Sequence, residues 1–408
     1  MNNGNRRDFL KRGLMAAGAA LAFSPLDAVF ASGSPARVTA AAKRILVAGA
    51  GLAGMVAAYE LKQAGHDVTV IEARKRAGGR VHTLREPFAD ALYAEEGASR
   101  IPYGHDLTLG YIKQFGLEVT PFYPSDGHFT RLNRGERQDA DWKSFTNEIR
   151  NTIELGRSQD WFKIRGGNDL LPASFAKRLT IIYDAPVVRI EQNANSVTVQ
   201  FSRGGKSERL TGDYLICAIP FSTLRNVEVS PQFSTAKRQI IETLHHDSAS
   251  RVFLQTRSRF WQQQKANGYA IADQTIEIWD STLYQPGTRG ILQTYLRGDN
   301  SERLTAMAER ERVRVTLERM EQVFPGARSS FEKGVSKCWS EDEWSRGAWV
   351  HPDEDALPVI VKPEGRVYFA GDHASRQPSW MQGALASGLR VVKEINEAAQ
   401  RASVSALS

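Results

Sequence analysis

The stretch Ile45-Leu46-Val47-Ala48-Gly49-Ala50-Gly51-Leu52-Ala53-Gly54 decides how this chain is read. An apolar β run enters it, and a G-x-G-x-x-G turn follows through Leu52 and Ala53. A helical stretch, Met55 to Gln63, comes next and stops at Gly65. A second β run, Val68-Thr69-Val70-Ile71, ends at Glu72. Each part has a physical task. Gly49 permits the tight turn, Gly51 lets backbone N–H groups approach a pyrophosphate, and Gly54 lets helix and strand pack closely. The helix N-terminus supplies positive potential for phosphates. Glu72 is placed to accept both ribose hydroxyls, and an acid there disfavours a 2′-phosphate. The unit predicts a dinucleotide site.

The remaining composition is that of a globular protein, with 408 residues, 41% hydrophobic and 24% charged. At about 150 residues per domain this predicts two or three domains. Lys+Arg 53 against Asp+Glu 46 gives +7. That surplus is mild and carries no basic run with interleaved aromatics, which disfavours a nucleic-acid partner. A modest positive field favours anionic small molecules or an acidic partner. Two cysteines, Cys217 and Cys338, exclude a disulfide scaffold. Cys217 lies in the apolar run 214–219 and reads as a buried, inert thiol. With no His at ligand spacing, no metal site is expected. The His245-His246 pair reads as structural or solvated.

The N-terminus reads as an address. Asn5-Arg6-Arg7-Asp8-Phe9-Leu10-Lys11 precedes an uncharged stretch from Gly13 to Leu26, and Val29-Phe30-Ala31 offers a small-residue cleavage site. The stretch is shorter than the roughly 20 residues a bilayer span takes. Residues 1–31 resemble a twin-arginine signal, which implies export of a folded protein to the periplasm. No later run of 18 apolar residues follows, so no membrane span is expected.

Beyond the first motif, Glu72-Ala73-Arg74 leads into Gly78-Gly79-Arg80-Val81. By charge alone, Arg74 and Arg80 suit phosphate oxygens. Near the C-terminus, Val367-Tyr368-Phe369-Ala370 is a β run closed by Gly371-Asp372-His373, and a helix is predicted from near Trp380. Leu385, Leu389, Val392 and Ile395 give that helix an apolar stripe. Gly383 and Ala384 leave room for a planar ring. These motifs, with the run Phe369 to Gly388 that includes Met381, resemble the flavin amine oxidase superfamily over nearly all of 43–399. Ile164 to Pro172, Ala185 to Ile190 and Asp213 to Pro220 agree with it. The resemblance implies FAD, with the Gly79–Arg80 segment beside its pyrophosphate and the backbone of Val188 against adenine. The acid usual in the family's C-terminal motif is Glu; here it is Asp372. Covalently flavinylated members carry a Cys shortly before the C-terminal strand. Residues 345–366 contain none, so the FAD is expected to be non-covalent.

The resemblance also bears on the substrate. Glu96-Gly97-Ala98-Ser99-Arg100-Ile101-Pro102 is similar to the segment of L-amino acid oxidases whose Arg binds the substrate carboxylate, and a guanidinium matches a carboxylate's two oxygens. Tyr295, in the β run Ile291 to Tyr295, falls where the family supplies a second carboxylate contact. Trp380 aligns with the aromatic wall on the amine side of the flavin. Arg251 stands where the family usually has a Lys that holds a water at flavin N5 and is associated with reaction with O2. This departure puts fast O2 reoxidation in doubt and leaves a quinone or an electron-acceptor protein as the alternative. Only about 60 residues, 102–163, separate the Arg100 motif from the return segment, which implies a more open cavity or one completed by a second subunit as a homodimer.

The fold expected is α/β: a Rossmann-like, GR2-type FAD-binding domain from 43–101, 164–240 and 352–399. A second α+β substrate domain, from 102–163 and 241–351, is expected to be built on a mixed or antiparallel sheet. The activity implied is oxidative deamination of an L-amino acid, with hydride passing from Cα to flavin N5 to give a 2-oxo acid and ammonia. Two other readings stand beside it. One is oxidation of an amine lacking a carboxylate, with Arg100 structural; the other is an FAD-binding accessory protein without turnover.

Overall fold

The computed structural model describes residues 42–149, 160–273 and 276–405. The expected signal, 1–31, lies outside the described residues, as does the stretch 150–159 of the second expected domain. The strand β1 (Arg44–Ala48) runs into helix α1 (Leu52–Gln63) and returns as β2 (Asp67–Ile71). Glycine is required at the first turn. Gly49 has φ +107°, and a Cβ there would lie 2.9 Å from the carbonyl oxygen of Ala218. The helix starts three residues earlier than the sequence pattern predicts, because Leu52, Ala53 and Gly54 already sit inside its first turn.

Around this unit stands a five-stranded parallel sheet in the order Thr180–Ile182, β2, β1, Tyr214–Cys217, Val367–Phe369. Four of its strands are thus recruited from the two expected FAD segments that follow or contain the first motif. Both faces are covered, which explains why β1 reads as a continuous apolar run rather than an alternating one. Ile45 and Val47 pack into one cluster with Met55, Val56 and Leu385. Leu46 and Ala48 pack into another with Phe201, Leu215 and Phe369. Each of the larger side chains contributes roughly 1.5–3 kcal/mol on full burial. Helix α2 (Met381–Ser405) lies against α1. Gly388 allows this, since a Cβ there would come within 2.4 Å of both the Ala53 carbonyl oxygen and Val56 Cγ1.

The second layer is a seven-stranded mixed sheet. Its order is Phe331–Cys338, β3 (Ala249–Thr256), β5 (Gly290–Arg297), β4 (Ile276–Asp280), Ala266–Ala272, His128–Asn133, Glu136–Ala140. All its pairings are antiparallel except that of Ala266–Ala272 with His128–Asn133. The mixed α/β architecture is the one expected. Both layers belong to one compact unit. Cys217 and Cys338 are buried and unpaired, and burial pushes the Cys217 thiol up to about 11. Among the described residues, no helix is long and apolar enough to cross a membrane, and no cluster of His, Cys, Asp and Glu could hold a metal ion.

Candidate active site

A cavity of about 1000 Å³ lies between the parallel sheet and the mixed sheet. Of the site residues singled out from the sequence, all but Gly54, Val188 and Gly383 line it, and Gly383 is instead packed against the Gln377 carbonyl oxygen, 1.8 Å from where a Cβ would lie. Gly54 acts one layer back: its Cβ would fall 2.1 Å from the Gly49 carbonyl oxygen, so only glycine lets α1 start so close to β1. Val188 itself does not line the cavity, whereas Val187 and Ala185 do. The strand carrying it is bulged between Val187 and Arg189, and the Val188 side chain is 42% exposed.

At one end, the first turn presents Gly49, Gly51, Leu52 and Ala53. A Cβ on Gly51 would meet nothing within 4 Å, so the turn opens onto free space there. The buried Glu72 carboxylate accepts from the backbone N–H of Ala50 at 2.6 Å and of Arg74 at 2.8 Å, with one bond to each oxygen. Each oxygen keeps acceptor capacity for a ribose hydroxyl. Burial is the main influence on this carboxyl and raises its pKa. Gly97 needs to be glycine as well, since its Cβ would lie 1.9 Å from the Arg80 carbonyl oxygen.

The two basic residues assigned to phosphates each have a carboxylate partner. Arg74 pairs with Asp342 and donates to Ser345 Oγ at 2.9 Å. Arg80 pairs with Asp372 and donates to the Ala348 carbonyl at 2.6 Å. Burial alone would raise the Asp372 carboxyl, but Arg80 beside it holds it below the usual carboxylate range. The neighbouring Gly371 and the first turn of α2, with Met381 and Ala384, complete this wall.

At the other end stand Arg100, Arg251, Tyr295 and Trp380. Arg100 is 8% exposed, forms a short ion pair with Glu277, and lies 4.9 Å from the Trp279 ring. Its Nε has no hydrogen-bond partner. Burial would lower its pKa, yet Glu277 reverses the sign and keeps it firmly charged. Glu277 also faces Arg297 at 3.1 Å. Arg251 donates through Nη1 to the Glu95 carbonyl at 2.5 Å and to Ser99 Oγ, and packs 4.7 Å from the Tyr295 ring. Tyr295 sits between Arg251 of β3 and Glu277 of β4 in the sheet register. Trp380 stands edge-on to His105 at 4.9 Å.

The sequence reading missed Trp279, Glu277, Arg297 and Trp349. Trp279, Arg297 and Trp349 line the cavity, and Trp349 lies 6.1 Å from Tyr295. The signal for Trp349 was a cluster of three tryptophans, at 339, 344 and 349, close before the C-terminal strand. Glu277 had no local signal.

The family profile for flavin-containing amine oxidoreductases matches residues 52–155 and 143–396. The chain belongs to that family. A protein of Bacillus subtilis (strain 168), YobN, provisionally named as an L-amino-acid oxidase, is 33% identical over 87% of this chain and 95% of its own length. The flavin-dependent L-tryptophan oxidase RebO of Lentzea aerocolonigenes is 28% identical over 86% of this chain and 98% of its own. In three dimensions the chain resembles cyclohexylamine oxidase from Brevibacterium oxydans IH-35A, with a TM-score of 0.75, 20% identity, and coverage of 88% and 100%. The family is a flavin family, and the residues present fit a flavin dinucleotide. The glycine cradle, the Glu72 acceptor and the wall of α2 all border one cavity. Neither cysteine lines it.

Proposed function

We propose that this flavin amine oxidoreductase oxidises the amino group of an L-amino acid, giving an imine that water hydrolyses to a 2-oxo acid and ammonia. FAD, held non-covalently by the Gly49–Gly54 turn, Glu72 and the first turn of α2, supplies the two-electron acceptor when bound. The observation that carries the reading is Arg100, a buried guanidinium on the cavity wall with donors left over after its bond to Glu277. It takes the substrate carboxylate, and Tyr295 adds a hydroxyl contact. Trp380 and Trp349 wall the site and exclude water. No side-chain base is assigned, because positioning supplies much of the acceleration in such a reaction. The names of YobN and RebO support an amino-acid substrate.

One observation favours a second reading, an amine without a carboxylate: Glu277 already neutralises Arg100. The two separate in one experiment. The purified protein loaded with FAD is mixed anaerobically with L-amino acids and with the matching decarboxylated amines, and bleaching at 450 nm is followed. Bleaching by the amino acid and not by its amine supports the first reading; the converse replaces it with the second. Admitting air then decides between O2 and another acceptor, the choice that Arg251 leaves open. We further propose twin-arginine export to the periplasm, on the strength of residues 5–31. Fractionation of cells producing the full chain, with an Arg6→Lys/Arg7→Lys variant as control, tests this.

A further inference from the structure

We propose that Arg251 and Arg297, both packed against the Tyr295 ring, form a second anion subsite that takes the side-chain carboxylate of a dicarboxylic L-amino acid. The inference rests on the amino-acid reading above and narrows its substrate class. Three guanidiniums reach this end of the cavity: Arg100, Arg251 and Arg297. Arg251 and Arg297 lie 4.7 and 5.3 Å from the Tyr295 ring centre, and Arg100 and Arg251 share the Trp279 ring at 4.9 and 5.3 Å. A single carboxylate, Glu277, is shared between Arg100 and Arg297. Arg251 is 6% exposed and gives its bonds to neutral oxygens, a backbone carbonyl and a serine hydroxyl.

The other acids on the cavity wall are committed elsewhere. Glu72 is tied to the first turn, Asp372 to Arg80, and Asp247 faces His245 and His351. Asp299 lies at the exposed rim, where solvent screens it. The Glu95 carboxylate, beyond the backbone carbonyl that Arg251 uses, accepts from Thr83 Oγ and the Asn168 N–H. Two buried guanidiniums and the half-buried Arg297 against one carboxylate leave an excess of positive charge, which is costly without a counterion where it is buried. Burial accordingly holds Arg251 down at about 10. A substrate α-carboxylate at Arg100 satisfies part of the excess. A second carboxylate on the substrate satisfies the rest, and a neutral side chain does not. The planar guanidinium fork suits that group better than an ammonium would.

The test compares kcat/KM of the FAD-loaded protein for L-glutamate and L-2-aminoadipate with that for L-glutamine and L-norleucine. The expected preference for the acid over its amide is about tenfold or more, as a charge-assisted bond predicts. Arg297→Gln is expected to lower that ratio about tenfold. Because the variant can fold poorly, calorimetric titration of the wild-type holoprotein with glutarate and with butyrate gives an independent reading. Glutarate is expected to bind about ten times more tightly. Equal binding, or an acid-to-amide ratio near one while amino acids are oxidised, overturns the subsite and leaves the amino-acid reading intact. Oxidation of amines alone overturns both.

Discussion

Arg100→Ala separates the two tasks that the structure gives Arg100. The guanidinium neutralises Glu277 inside the protein and offers its remaining donors to the cavity. Removing one partner of a buried ion pair costs about 3–5 kcal/mol, because the other charge stays behind unpaired. Here Glu277 keeps Arg297 at 3.1 Å, so the loss of stability is expected near the lower limit, about 3 kcal/mol. Losing the substrate contact costs a further 2 kcal/mol or more in transition-state binding, which is ~30-fold in kcat/KM. The double variant Arg100→Ala/Glu277→Gln then removes both charges. It is expected to regain most of the stability, read as the urea midpoint at constant slope, and none of the kcat/KM for an L-amino acid. A single variant within about threefold of wild-type kcat/KM would falsify the carboxylate role. A double variant that recovers turnover would mean that Arg100 acts only by neutralising Glu277.

Two further outcomes follow from local geometry. Gly54→Ala puts a Cβ 2.1 Å from the Gly49 carbonyl oxygen, so α1 must shift away from β1. The purified variant is expected to carry less flavin, measured as the ratio of absorbance at 450 to 280 nm, and an unchanged ratio refutes the cradle. Burial raises the Glu95 carboxyl to about 7. Its protonated form therefore stabilises the fold fully at pH values below the unfolded value of about 4.3, and this contribution is lost as pH rises to about 7. Glu95→Gln lacks that dependence. Its stability relative to wild type should climb across this window by up to about 1.4 kcal/mol per pH unit, and a difference that stays flat with pH removes the argument.

What could be read in the sequence was what is local in it. The first βαβ unit needs about 30 residues, and Gly54 answers to a contact within that span, the Gly49 carbonyl oxygen, although Gly49 itself answers to the distant Ala218. Glu72 bonds Ala50 and Arg74, both nearby in the chain. Charge partners were not legible, because they come from far away: Glu277 is 177 residues from Arg100, and Asp342 is 268 residues from Arg74. An arginine in a sequence shows its charge but not whether that charge is already neutralised. Val188 shows a different limit. A bulge has no signature in a strand's residues, and the register shift between Val187 and Arg189 leaves Val187 on the cavity wall and the Val188 side chain exposed.

The parallel sheet is ordered in space but not in time. Its central strand, β1, is made first, yet the strand Val367–Phe369 and the α2 glycine that seats against α1 are made last. At about 5–20 residues per second, the roughly 300 residues between them take on the order of tens of seconds to emerge from a ribosome. During that interval α1 lacks the cover that α2 gives it, and the last wall of the flavin cavity does not exist. The flavin cavity is therefore complete only once α2 has been made. A nascent chain that stalls before residue 367 presents an apolar helix to chaperones rather than a half-built enzyme to FAD.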